Sequence, residues 1–174
     1  MKNAYITLVR STLEYGAIIW DPFLKTDINR LDRIQRSAAR FICNDYRSRS
    51  PGAVTKMLAD LDLQSLQQRR KELRLTFLFK VVEGLVPAIP ASDYIVPVTH
   101  KRRIRATKHS DYVTTNTVTQ YQLNNSKCFK TIRCNTDTYR HSFFPKTIAE
   151  WNQLDDSTVN KKTVETFRSA LYRD

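Results

Sequence analysis

Arginine stands at positions 30, 33, 36 and 40 of the stretch DINRLDRIQRSAARFICN, Asp27–Asn44. Steps of three and four residues return to one side of an α-helix, so Arg30, Arg33, Arg36 and Arg40 form a line of guanidinium groups. A planar guanidinium donates two parallel hydrogen bonds and stays charged at any cellular pH, which suits phosphate oxygens. Ile28, Leu31, Ile34, Ala38, Phe41 and Ile42 recur at helical steps on the opposite side. One face of a helix over Asp27–Asn44 can therefore enter a core while the other meets a polyanion. A merely solvated charged face fits the pattern as well. Asp32 stands four residues before Arg36 and can form an ordinary surface pair with it.

The remaining reactive side chains make weaker patterns. Cys128, Cys134, His100, His109 and His141 invite a metal reading, but five residues separate the two cysteines. Zinc knuckles and fingers place a cysteine pair two to four residues apart. Nothing flags Cys43, Cys128 or Cys134 as an activated thiolate. Trp20, Trp151, Phe143 and Phe144 have faces that bases can stack on, yet their apolar neighbours and helical spacing read as core. With three glycines the chain has no glycine-rich phosphate loop. No cofactor, metal or small-molecule substrate is implied.

The bulk numbers agree with a polyanionic partner. In 174 residues, 29 Lys and Arg face 17 Asp and Glu, a formal charge of +12, and 41% hydrophobic content suffices for a core. Such an imbalance favours nucleic acid or an anionic membrane. No apolar run approaches the ~20 residues that span a bilayer, and no lipidation motif is present, so a membrane is not expected. MKNAYITLVRSTLEY is not a signal peptide, because Arg10 and Glu14 interrupt it. An odd number of cysteines without a framework points to a reducing compartment, nucleus or cytoplasm, and not to secretion.

Along the chain, a helix is expected from Ala4, ending near Gly16, followed by a short buried run Ile18–Trp20 and a turn at Asp21–Pro22. A Met start directly inside a helical pattern reads as a fragment. After the arginine-lined helix, Arg47 and Arg49 extend the basic surface, and Ser50–Pro51 predicts the start of a short helix bearing Val54, Met57, Leu58 and Leu61. Ser65 with Gln68 predicts a capping box for a longer helix to about Glu83, with Gly84 after its end. Its first turns carry Arg69, Arg70, Lys71 and Arg74; its second half is apolar nearly all round.

Pro87, Pro90 and Pro97 then mark irregular chain, followed by the densest basic cluster, with Lys101, Arg102, Arg103, Arg105 and Lys108. Tyr112–Tyr121 and Lys127–Arg133 predict short strands or extended segments. A helix bearing Ile148, Trp151 and Leu154 and a Thr163-capped helix bearing Val164, Phe167 and Leu171 close the chain. The expected fold is mainly α, with about four N-terminal helices, a short β or irregular basic segment, and two C-terminal helices packing back. The divisions fall at 1–85, 86–141 and 142–174.

Three stretches together resemble the C-terminal third of reverse transcriptases from non-LTR (LINE-type, jockey-like) retrotransposons. They are LVRSTLEYGAIIWDPFLKTDINRLDRIQRSAARFI (Leu8–Ile42), VTKMLADLDLQSLQQRRKELRLTFLFKVV (Val54–Val82) and SFFPKTIAEWNQL (Ser142–Leu154). The Asp111–Asn125 region departs from the pattern. The resemblance implies thumb-like helices over 1–85 that grip a primer–template duplex, and a C-terminal region that helps hold RNA or DNA. It gives the stripe Arg30, Arg33, Arg36 and Arg40 a phosphate-binding role and makes the parent's polymerase domain a further partner; basic charge adds Arg69, Arg70, Lys101, Arg102, Arg103, Arg105 and Lys108 as candidate contacts. No catalytic set accompanies it. A polymerase holds two cations with carboxylates on an apolar strand turn. Asp155–Asp156, in an expected polar loop, and Asp60–Asp62, at a helix end, lack that setting. The chain alone is not expected to be an enzyme. A rival expectation is an inert fragment or interaction module whose apolar face packs on a missing polymerase palm.

Overall fold

The sequence periodicities become helices in the computed structural model, which describes residues 1–98 and 124–172. Helix α1 runs through Lys2–Ala4, a π-helical stretch Tyr5–Arg10, and Ser11–Glu14. The others are α2 (Lys25–Cys43), α3 (Ala53–Asp60), α4 (Leu66–Val82), α5 (Ala91–Tyr94), α6 (Asp137–Arg140), α7 (Phe143–Trp151), α8 (Asp156–Val159) and α9 (Val164–Leu171). The fold is mainly α. Among the described residues the only β pairing is an isolated antiparallel bridge between Pro97 and Phe129. Lys127–Arg133 builds no strand there: the Cys128 carbonyl and the Lys130 N–H pair with Val98 and Val96 across that one bridge, and the outward-facing groups of Phe129 go to a side chain. The N–H of Phe129 donates to Asn152 Oδ1, and its carbonyl accepts from Asn152 Nδ2. The extended segment expected over Tyr112–Tyr121 lies outside the described residues.

The core forms where the apolar half of α4 meets the C-terminal helices. Leu75, Leu78, Phe79 and Val81 of α4 pack with Ile148, Trp151, Leu154, Val159, Phe167 and Leu171. Phe79 and Phe167 stack at 4.5 Å between centroids, and Trp151 lies 5.6 Å from Phe167. Asn125 anchors the end of α7 by donating to the carbonyls of Trp151 and Leu154. Thus α7 and α9 do pack back onto the N-terminal helices, and α4 supplies the surface they share. Burial here removes apolar area from water at roughly 25 cal/mol per Å², the dominant favourable contribution to folding.

Several local expectations are corrected. Helix α3 starts at Ala53, capped by Gly52 at φ +84°, because Ser50–Gly52 closes a turn in which the Ala53 N–H donates to the Ser50 carbonyl. At α4 only half of the capping box forms. Ser65 Oγ accepts from the Gln68 N–H, while the Gln68 side chain reaches Glu72 instead. Asp155 and Asp156 cap and open the short helix α8, where a polar loop was expected. The run Ile18–Trp20 is not buried. Gly16 takes a left-handed φ of +67°, open to glycine without strain. The chain then turns so that Ala17 goes inside, while Ile19 is 88% and Trp20 46% exposed.

Helix α2 matches Asp27–Asn44 within two residues, with Asn44 in the left-handed conformation that ends it. Its buried line is shifted from the expected one. Gln35 and Ala39 are the fully buried positions, whereas Ile34 and Phe41 remain exposed. The reason is specific: Gln35 Nε2 donates to the Gln64 carbonyl at the entry to α4, which holds that side of α2 inward, with Ala39 fully buried one turn on. At about 100° per residue, α2 therefore has three sectors. One is buried around Gln35 and Ala39, one is basic through Arg36, Arg40, Arg33 and Arg30, and a third carries Ile34 and Phe41.

Candidate nucleic-acid interface

The basic sector of α2 presents its arginines unequally. Arg30, Arg33 and Arg36 are exposed. Arg30 pairs with Asp27 at 3.1 Å and Arg36 with Asp32 at 3.8 Å, both within one helical turn and open to water. Such pairs are worth a few tenths of a kcal/mol and yield readily to a stronger anion. Arg33 has no carboxylate within salt-bridge distance among the described residues. Arg40 does different work. Its guanidinium donates to the carbonyls of Asp45 at 3.2 Å and Ser48 at 2.9 Å, binding the following loop to the helix end.

That loop is ordered by Asp45, whose carboxylate accepts from the N–H groups of Arg47 and Ser48 and from the Ser48 hydroxyl. The Ser48 hydroxyl bond is the main cause that holds the Asp45 carboxyl below its usual range. Arg47 and Arg49 emerge from this turn exposed, continuing the positive surface past α2.

Arg69 and Arg70 are not on this surface. Arg69 makes a two-pronged pair with Glu14, its Nη2 lying 2.9 Å from Oε2. That bonding raises its pKa above the ordinary arginine value. Arg70 is 2% exposed and donates to the carbonyls of Leu13 and Trp20, with its guanidinium 4.3 Å over the Trp20 ring. Burial lowers its pKa, opposed by the charges of Asp21 and Glu14. Arg74, also buried, bridges Asp21 and Glu150, and Lys146 adds a third cation to Asp21. The sequence places Arg69 and Arg70 among phosphate contacts; the fold uses them to tie α1 and the 15–24 loop onto α4. Physically, a guanidinium one turn from leucines on a helix that needs burial is drawn into internal pairing. Lys101, Arg102, Arg103, Arg105 and Lys108 lie outside the described residues.

Two groups escaped the sequence reading. Asp21, between Trp20 and Pro22, is the hub of the buried network. Its signal was the i, i+4 pair Arg70 and Arg74 on the same side of a helix as Leu66, Leu78 and Val81, since cations drawn inside with such residues need buried carboxylates. Phe23 stacks parallel on His141 at 4.5 Å. This pair stands between a cleft of about 390 Å³ lined by Arg70, Lys71, Arg74 and Lys146 and a shallower groove containing Trp20.

Glu72 is a buried carboxylate beside Gln68 and Arg69 of its own helix, with Arg168 and Tyr172 of α9 and its C-terminal end also near it. Burial is the leading cause that raises its pKa, with those neighbours opposing. A carboxyl raised in the folded state binds its proton more tightly there than in the unfolded chain. Its favourable contribution is thus present at low pH and is lost as pH rises through the folded pKa. Glu72→Gln is expected to unfold at a higher temperature than the parent at pH 7–8. The gap should close as pH falls through the carboxylate range in thermal melts; a gap independent of pH contradicts this.

Among the described residues no three His, Cys, Asp or Glu side chains gather as a metal site, and no helix is long and apolar enough to cross a membrane. No family model, curated protein or solved structure matches the chain.

Proposed function

We propose that the chain is a non-catalytic C-terminal piece of a non-LTR retrotransposon RNA-directed DNA polymerase, which binds the RNA or DNA backbone without strong sequence preference. The observation that carries the binding is the exposed row Arg30, Arg33 and Arg36, held on a rigid helix with only weak local partners. Arg47 and Arg49 lengthen it, and the net charge of +12 adds long-range attraction. Phosphate contacts position a strand and carry no base information, which fits sequence-tolerant binding. The parentage rests on the three sequence stretches that resemble those polymerases. On this reading the partners are RNA or DNA and the parent's polymerase domain, inside the nucleus or cytoplasm. No membrane, cofactor or substrate takes part.

Charge reversal at Arg33 and Arg36 tests the site. It is expected to weaken binding to unrelated oligonucleotides by the same factor, as loss of phosphate contacts does. Unchanged affinity, or loss confined to one sequence, speaks against it. A second reading is favoured by the exposed apolar residues Leu8, Ile34 and Phe41, which are 71%, 42% and 55% exposed. On it, α1 and α2 are a surface for packing on a polymerase palm. Size-exclusion chromatography separates the two: a monomer that shifts on adding oligonucleotide supports the first, and self-association indifferent to nucleic acid supports the second.

A further inference from the structure

We propose that the loop carrying Trp20 and Phe23 is a stacking platform for the unpaired bases of a nucleic-acid strand, whose phosphates run toward Lys71. This rests on the nucleic-acid reading above and adds the form of strand the surface takes.

The two tryptophans of the chain have opposite settings: Trp151 is fully buried, whereas Trp20 is 46% exposed. Trp20 is also fixed in place. The Arg70 guanidinium covers one face at 4.3 Å, Nε1 donates to the Tyr15 carbonyl, and Gly16 lies near enough to the same edge that a Cβ there would come 3.0 Å from Nε1. With one face and one edge covered, the exposed area belongs largely to the other face. Phe23 repeats the arrangement three residues on. His141 covers one face, with only 2° between the ring planes, and Phe23 is still 39% exposed. Two aromatic rings each backed on one side and open on the other lose little freedom when a base stacks on them, and stacking on such rings tolerates every base.

The flanking charge selects a polyanion over an apolar peptide. Phe23 and His141 also line the larger cleft, together with Lys71 and Lys146. Lys71 has no carboxylate within salt-bridge distance among the described residues. Asp21 in that cleft is already taken up by Arg74 and Lys146, Glu150 by Arg74, and Asp32 by Arg36, which leaves Lys71, among the described residues, as the cation open to a phosphate there. The first turn of the 17-residue helix α4 opens on the same cleft through Leu66 and Gln67, whose N–H groups have no partner within the helix. Ile19 and Leu24 add aliphatic surface beside the rings.

Tryptophan fluorescence of the full chain provides the test, since Trp151 is shielded and Trp20 alone can report stacking. Single-stranded oligo-dT is expected to quench the emission, and a blunt duplex of equal length is not. Trp20→Phe is expected to remove the quenching, since no exposed indole then remains to report stacking. Phe23→Leu, which preserves apolar volume, is expected to weaken oligo-dT binding about ten-fold, leaving duplex affinity and the salt slope unchanged. Salt-dependent binding of oligo-dT without quenching overturns the platform and leaves the arginine row standing. So does wild-type oligo-dT affinity in a folded Phe23→Leu variant, or an effect of either variant on self-association alone. Absence of any binding overturns both.

Discussion

Replacing Asp21 by Asn is expected to destabilise the chain by about 3–5 kcal/mol, the usual cost of removing one partner from a buried ionic cluster. Asp21 is the carboxylate shared by Arg70, Arg74 and Lys146, and both arginines are almost fully buried. Without it Arg70 retains only neutral carbonyls and the Trp20 face, and Arg74 retains only Glu150. The Nε of each arginine already has no hydrogen-bond partner among the described residues, so the network has no spare acceptor to absorb the change. Because the cluster joins the 15–24 loop to α4 and α7, the damage should extend to the Trp20 and Phe23 surface. Chemical denaturation read by far-UV circular dichroism checks the magnitude. A loss below about 1 kcal/mol, the level of an exposed ion pair, would show that the cluster is not a buried tie.

Trp151→Ala is expected to have an effect of similar size, about 3–5 kcal/mol, by a different route. Its ring is fully buried between Phe129 and Phe167, and its Nε1 donates to the Lys127 carbonyl at 2.9 Å. Truncation leaves a large cavity and takes the indole donor from the partly buried Lys127 carbonyl at once. The same turn is pinned by Asn125 and Asn152 to the 125–129 segment, so the surrounding chain cannot collapse to refill the space. Trp151→Phe keeps most of the volume and should cost distinctly less. Equal costs for the two variants, measured by thermal denaturation, would mean that the indole hydrogen bond and not the packing dominates.

Periodicity located what burial alone decides. Ile148, Trp151 and Leu154, and likewise Phe167 and Leu171, sit inward as their spacing requires, because an apolar stripe has one favourable place to go. The failures come where a polar group decides instead. Ile34 and Phe41 read as inward positions, yet the side-chain bond of Gln35 to Gln64 turns a different line of α2 inside and leaves both exposed. Trp20 reads as core by composition, but the left-handed turn at Gly16 puts it at the surface against Arg70. Arg40, Arg69 and Arg70 have the same chemistry as Arg30, Arg33 and Arg36, and only the tertiary partners separate the two sets. A line of arginines in a sequence fixes a helix face; which members face solvent depends on carboxylates and carbonyls far along the chain.

A salt titration decides whether the α2 arginine row contacts phosphate. Binding of the chain and of its Arg30→Gln, Arg33→Gln, Arg36→Gln triple variant to one duplex is measured across salt concentrations. These exposed positions are expected to change stability by no more than about 0.5 kcal/mol, so folding does not confound the comparison. The logarithm of affinity for the parent should fall linearly with the logarithm of salt, by about 0.9 per phosphate contacted. The slope of the triple variant should be shallower by roughly two to three. Parallel lines for the two proteins, or a flat line for the parent, would contradict the account.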